Sequence, residues 1–178
     1  MNIDEILKIV APVQGWFSDG QMRFIEDIIR VLPSGGLLVE LGTNHGRSCL
    51  YWRLVNPNIN ILTIDPCVPY HAMTPPEHID DAILAWGNIF QVRQPSQEVI
   101  KGFNWQIDCL FVDGDHRYEA AKADIVQWTA KVKSGCPIIV HDYDPAHADV
   151  MRACDEADAE GIFKKVKFGE TMYVAVKP

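Results

Sequence analysis

The chain has 178 residues, 48% hydrophobic and 22% charged, which suits one globular domain with a substantial core and excludes a disordered chain. Its formal net charge of -8 argues against a general nucleic-acid binder or a membrane-surface protein, both of which carry basic patches. No segment approaches the ~20 apolar residues of a membrane span, and Met1-Asn2-Ile3-Asp4-Glu5 lacks the basic start and apolar core of a secretory leader.

Residues 3–10 form the first helix candidate, ended by Pro12. Ser18 and Gln21 then make a capping-box pattern ahead of Met22, Ile25, Ile28, Ile29 and Leu32 at helical spacing. Trp16 and Phe17, just before it, read as core or lid packing. Pro33-Ser34-Gly35-Gly36 stops this helix directly before Leu37-Leu38-Val39-Glu40-Leu41, an apolar run that suits a parallel strand covered on both faces. Glu40 interrupts the run, and a carboxylate there needs a hydrogen-bond donor if it is buried. Gly42 permits a sharp turn and Gly46 a close approach of ligand or helix. The spacing is not G-x-G-x-x-G, because position 45 is His, so a pyrophosphate cradle is disfavoured.

Arg47 to Val55 read as a crossover helix and Ile59 to Ile64 as a second strand with Asp65 at its tip. An acidic residue about 20 positions past the glycine turn hydrogen-bonds ribose hydroxyls in nucleotide-binding α/β units; the alternative is a turn former before Pro66. Residues 66–76, with Tyr70 and His71, read as a surface loop. Thr74-Pro75-Pro76-Glu77 is a second capping pattern, opening a helix to about Trp86. Ile89 to Val92 is a short strand, and Pro95 to Ile100 a weak helix in which Ser96 is either a cap or a contact for an adenine. Ile107 to Val112 is the next strand, Tyr118 to Lys131 a helix, and Ile138 to Val140 a fifth strand. Asp144 caps a helix from Pro145 to about Glu160. Phe163–Phe168 and Met172–Val176 then pair across Gly169-Glu170, a two-residue loop with glycine first that predicts a type II′ turn. The alternation specifies a doubly wound α/β fold in a single domain, 1–178, with 1–34 as an N-terminal helical cap and 35–178 as the core. Five dispersed cysteines without a C-x-x-C pair fit a reducing compartment, so a cytoplasmic location is expected.

Asp113, Asp115, His116, His141 and Asp142 fall at the carboxyl ends of two of these strands. Carboxylates on neighbouring strands, ~5 Å apart, repel by about 3 kcal/mol at an effective dielectric near 20. A raised pKa, a basic partner or a cation relieves this. A divalent cation on Asp113, His141 and Asp142 is the economical solution. The oxygens suit Mg²⁺ or Mn²⁺, and the imidazole shifts preference toward Mn²⁺ or another transition metal. The competing explanation is turn and cap chemistry alone. His45, His78 and His147 are assigned no role, and Arg117 is expected to point away with its helix.

Two motifs carry a family resemblance. E-x-G-x-x-x-G over Glu40, Gly42 and Gly46 resembles the first motif of class I S-adenosylmethionine (SAM) methyltransferases, whose loop wraps the methionine and ribose of the cofactor. Leu110-Phe111-Val112-Asp113-Gly114-Asp115-His116-Arg117-Tyr118-Glu119, with Asp124 and His141-Asp142-Tyr143, is similar to the macrocin O-methyltransferase and cephalosporin hydroxylase-like group, over roughly residues 35–145. The resemblance implies a Rossmann-like, mostly parallel seven-stranded sheet with a C-terminal antiparallel hairpin. It implies SAM held by Glu40, Gly42, Thr43, Asn44, Gly46, Ser48, Asp65 and Ser96, and a cation on Asp113 and Asp142 with His116 as base. The chain departs from the pattern at His141, where the family pattern has an acidic residue. The expected activity is O-methyl transfer to a sugar or other polyhydroxylated small molecule, with a homodimer as the default assembly. A metal-independent methyltransferase and a non-catalytic SAM-binding module are the alternatives. Trp16, Tyr70, His71, Trp86 and Tyr143 are candidate pocket walls.

Overall fold

A computed structural model describes residues 1–67 and 81–178. In chain order the elements are α1 (Ile3–Val10), α2 (Asp19–Arg30), β1 (Leu37–Leu41), α3 (Arg47–Val55), β2 (Asn60–Ile64), α4 (Asp81–Leu84), β3 (Ile89–Val92), α5 (Ser96–Gly102), β4 (Cys109–Val112), α6 (Tyr118–Thr129), β5 (Pro137–Val140), a 3₁₀ turn (Pro145–His147), α7 (Ala148–Ala159), β6 (Lys164–Gly169) and β7 (Met172–Val176). The strands form one seven-stranded sheet in the order β3-β2-β1-β4-β5-β7-β6. β3, β2, β1, β4 and β5 run parallel, and β7 joins β5 and β6 antiparallel. This is the doubly wound, class I methyltransferase layout that the resemblance implies.

The apolar run of β1 is explained by burial on both faces. Leu38 belongs to the core on one side, with Met22, Ile25, Tyr51 and Trp52 of α2 and α3. Val39 and Leu41 belong to the other, with Ile125, Trp128 and Ala153 of α6 and α7. The alternation of side chains along a strand sends Glu40 to the same face as Leu38. Both N-terminal helices begin with complete capping boxes, Asn2/Glu5 and Ser18/Gln21. Among the described residues, no helix is long and apolar enough to cross a membrane. All five cysteines are free thiols.

Three local expectations are corrected. The strand expected over Ile107–Val112 begins at Cys109, while Ile107 makes an isolated bridge to Val132. The helix expected from Pro145 starts with a 3₁₀ turn, capped by Asp144, before α7 begins at Ala148. In the hairpin, Gly169 pairs with Met172 and remains in β6, so the turn residues are Glu170 and Thr171. Both have positive φ, 51° and 60°, the mark of a type I′ rather than a type II′ turn. A β-branched residue at positive φ is strained. Here the turn is held from outside: Gln21 Nε2 donates to Thr171 Oγ1 at 2.7 Å, and the Tyr143 amide donates to the Thr171 carbonyl at 2.9 Å. The helix expected after Thr74 is described only over Asp81–Leu84; Tyr70, His71, His78 and the Thr74–Glu77 pattern lie outside the described residues.

Candidate active site

The site lies at the carboxyl edge of β1, β4 and β5, where the strand order reverses direction from β1 and open α/β sheets bind their ligands. β1 runs into Gly42, with φ of 96°. A Cβ on Gly42 would overlap the Asp113 carbonyl, so the first glycine loop is packed against the backbone of the loop after β4. The turn continues through Asn44 (φ 46°) to Gly46 (φ 80°), which starts α3 in the left-handed conformation without a side-chain cap. Asp65, at the tip of β2, holds this loop from the side. Its Oδ2 accepts the Thr43 amide at 2.9 Å and the Asn44 amide at 3.1 Å, and its Oδ1 accepts the Cys67 amide at 2.6 Å. A carboxylate has about four acceptor sites, so room remains for one ribose hydroxyl. The residues present therefore fit a nucleoside cofactor.

Glu40 sits beneath that loop and does not reach its surface. It is fully buried on the α2–α3 side of β1. Cys49 Sγ donates to Oε2 at 2.7 Å, Thr63 Oγ1 to Oε2 at 2.6 Å and Trp52 Nε1 to Oε1 at 3.0 Å. Burial pushes its pKa up, against the hydrogen bonds of Cys49, Ser48, Thr63 and Trp52. In this position Glu40 ties α3 and β2 to β1. Ser48 shares that buried network, and Thr43 is buried with its hydroxyl against Thr63 Oγ1. Ser96 is not a cap, because Pro95 holds that position, and its hydroxyl donates to Asp124 Oδ1 at 2.6 Å.

Across the edge, β4 and β5 deliver Asp113, His116, His141 and Asp142 to one cluster. Asp142 has φ of 58°, a strained value for a non-glycine residue that turns its carboxylate back toward β4. Its Oδ2 lies 3.0 Å from both His116 Nε2 and His141 Nδ1. Asp113 Oδ1 is 3.2 Å from His141 Nδ1 and 4.0 Å from His116 Nε2. Burial works to lower the His141 pKa, but the two carboxylates outweigh it and raise it to about 10. Asp113 and Asp142 likewise hold His116 up to about 9. Burial works to raise Asp142, and the histidines hold it well below the usual carboxylate range. Alone, the cluster balances two negative charges with two protonated imidazoles.

A divalent cation fits the same geometry. One ligand atom each from Asp113, His141 and Asp142 lies within 4.8 Å of the others. His141 is 4% exposed, yet neither ring nitrogen makes a well-directed hydrogen bond despite its proximity to both carboxylates. A buried imidazole in that state is suited to coordination. Asp115 leaves the cluster: it pairs with Arg117 on the surface.

Two residues that sequence reasoning passed over belong here. His147 lies in the 3₁₀ turn with its ring 4.7 Å from that of His116 and Nδ1 3.8 Å from Asp142 Oδ1. Asp-Pro-x-His, a tight capped turn, was the signal available. Arg47 clamps the segment before α2 over the first loop, donating to the carbonyls of Phe17 (2.9 Å), Val13 (2.9 Å) and Ala11 (3.3 Å). That segment divides the two aromatics. Phe17 is buried against Tyr51, Trp52, Phe111 and His141, while Trp16 is 63% exposed. Trp86 is exposed too, and Tyr143 is tied to Asp155 at 2.8 Å and packed on Tyr173.

The fold recurs in solved structures. An O-methyltransferase from Bacillus cereus in complex with SAH is 15% identical, covers 98% of this chain and 90% of its own, and superposes with a TM-score of 0.68. Cofactor-bound Rv0187 from MTB is 16% identical over 98% and 88%, with a TM-score of 0.71. MycE methyltransferase from the mycinamycin biosynthetic pathway, in complex with Mg and SAH, is 14% identical over 99% of this chain and 55% of its own, with a TM-score of 0.66. Residues 39–143, from the first strand through the His-Asp loop, match a family model described as a methyltransferase domain. The chain therefore belongs to the methyltransferase-domain family and is a SAM-dependent methyltransferase.

Proposed function

We propose that the protein transfers a methyl group from SAM to a hydroxyl of a sugar or other polyhydroxylated small molecule, assisted by a divalent cation, as in the macrocin O-methyltransferase group. The observation that carries this reading is the contact of Gly42 with the Asp113 backbone, which sets the cofactor loop directly beside the carboxylate–imidazole cluster. The Mg in the MycE structure supports a cation in this fold.

When bound, SAM supplies an electrophilic methyl carbon. The first loop and Asp65 orient it. Asp113, His141 and Asp142 would hold the cation, which would lower the pKa of an acceptor hydroxyl and favour vicinal hydroxyls that can chelate it. His116 Nε2 would accept the hydroxyl proton. The cluster alone keeps His116 protonated; cationic charge against Asp113 and Asp142 removes the reason for that proton to stay. A buried histidine in the ligand set favours Mn²⁺ over Mg²⁺.

The test is methyl transfer from SAM to a panel of glycosides and vicinal diols, with and without chelator, alongside calorimetry with SAH. The expected result is SAH binding that survives chelation and transfer that does not. Transfer that is unaffected by chelator would establish a metal-independent enzyme instead.

A further inference from the structure

We infer that His116, Asp142 and His147 form a second cation position, which takes a Zn²⁺-class ion and shares the Asp142 carboxylate with the Asp113–His141 position. The two groups meet at one carboxylate, whose Oδ2 faces both and whose Oδ1 faces only the second. Asp142 Oδ2 is the oxygen near His141 and His116, and Oδ1 is the oxygen near His147.

The spacing suits a small ion. Zn²⁺ binds imidazole nitrogen at ~2.0–2.1 Å and carboxylate oxygen at ~2.0–2.2 Å in a tetrahedron, which puts neighbouring ligand atoms about 3.4 Å apart. Of the observed separations, His116 Nε2 lies 3.0 Å from Asp142 Oδ2, slightly inside that value, and His147 Nδ1 lies 3.8 Å from the other oxygen, Oδ1, slightly outside it. All three ligand atoms lie within 4.8 Å of one another. The donor set is two nitrogens and one carboxylate, which suits zinc and its neighbours and disfavours Mg²⁺.

The position is also pre-organised. His147 is fixed by the 3₁₀ turn, where Asp144 Oδ1 accepts the amides of Ala146 (2.7 Å) and His147 (3.2 Å). The same oxygen is hydrogen-bonded to His147 Nδ1 at 3.2 Å, which orients the ring; an ion on Nδ1 would replace the proton of that bond. The two imidazole rings meet edge to face at 65°. His141, almost fully buried and without a directed hydrogen bond, points Nδ1 at the shared carboxylate from behind. The side chains of His116, Asp142 and His147 are 29%, 17% and 32% exposed, so an ion can enter and leave.

Occupancy has a consequence that rests on the proposed function. His116 would be the proton acceptor, and an ion on its Nε2 takes that lone pair. Zinc at this position would switch transfer off while leaving the cofactor loop untouched.

The probe is Zn²⁺ alone, titrated by calorimetry into the full chain in excess Mg²⁺, with ions per chain counted by elemental analysis. The wild-type protein should take up a Zn²⁺ that Mg²⁺ does not displace. His147→Gln should weaken that binding by at least the ~10–100-fold that follows loss of an outer-shell partner of a ligand, with SAH binding unchanged. Asp113→Asn should retain the zinc affinity. Equal zinc affinity in wild type and His147→Gln would overturn the inference, as would loss of zinc binding in Asp113→Asn, which would leave one position only. The titration needs no turnover, so it decides the matter even if no acceptor is ever methylated; zinc inhibition of transfer, relieved in His147→Gln, is its second readout.

Discussion

The two halves of the site solve different problems with different materials. The half beside β1 and β2 is made of backbone: two glycines, a left-handed Asn44, and amides gathered by Asp65. Its fully buried carboxyl group, Glu40, meets the neutral donors Cys49, Trp52 and Thr63. The half beside β4 and β5 is made of side chains, and its charges face one another at about hydrogen-bond distance. Shape recognition can be built from a chain path, whereas proton and cation control requires groups that titrate or coordinate.

The sharpest way to break the comparison is Gly42→Ala. The added methyl meets the Asp113 carbonyl, and the left-handed conformation alone costs an L-residue ~1–2 kcal/mol. SAH binding should vanish by calorimetry, and because the contact is shared, metal uptake should fall as well. Binding within twofold of wild type would show that the halves are mechanically independent. Next in size is Asp142→Asn, expected to slow methyl transfer by about 10²–10⁴-fold while SAH binding holds. Loss of SAH binding in that variant would dissolve the division between the halves.

Glu40→Gln should act on stability first. An amide presents a donor to Cys49, Thr63 or Trp52, leaving a buried group unsatisfied at about 1–3 kcal/mol. A fall of roughly 2–12 °C in Tm should accompany it, at ~2–4 °C per kcal/mol for a chain of this size. An unchanged Tm would mean that Glu40 is not the support described here.

The smallest effect is a control outside both halves. Burial raises the pKa of Asp124 to about 6, against hydrogen bonds from Ser96 and Gln97. The folded state therefore keeps a proton that the unfolded chain releases from pH ~4 upward. This stabilisation is complete below pH ~4 and is lost as pH rises through 6, a swing of up to about 3 kcal/mol. Asp124→Asn should flatten the pH dependence of the urea midpoint between pH 4 and 7. The net change at neutral pH should be small, because the amide also gives up charged hydrogen bonds worth ~1.5–3 kcal/mol. An unaltered slope would place the titration elsewhere.

The backbone half was the more legible in sequence, since glycine spacing after an apolar run specifies a path directly. What did not follow was the orientation of Glu40. Its donors come from Cys49 and Trp52, three apart on one face of α3, and from Thr63 on the next strand, so only pairing reveals them. In the charged half, the grouping of Asp113, His141 and Asp142 followed from their places at two strand ends, whereas the approach of His116 to Asp142 did not. His147 carried no assigned role. A continuous α-helix from Pro145 has 3.6 residues per turn, whereas the tighter 3₁₀ turn has three and brings His147 back over Asp142. The Glu170–Thr171 turn was misplaced for a related reason: local chemistry favoured Gly169, and contacts from Gln21 and Tyr143 overrode it.

The strand that pairs with β5 on the side away from β4 is β7, which is made well after β5 itself. Until residues 172–176 clear the ribosome, β5 has an open edge on one side and the loop after it lacks the Thr171 carbonyl that fixes Tyr143. A nascent chain can thus assemble the loop after β1 early and must wait for β7 to finish the histidine–aspartate corner. Ribosome-stalled fragments lacking β7 should bind SAH before they gain any zinc affinity, and simultaneous gain of both would show that the two corners mature together.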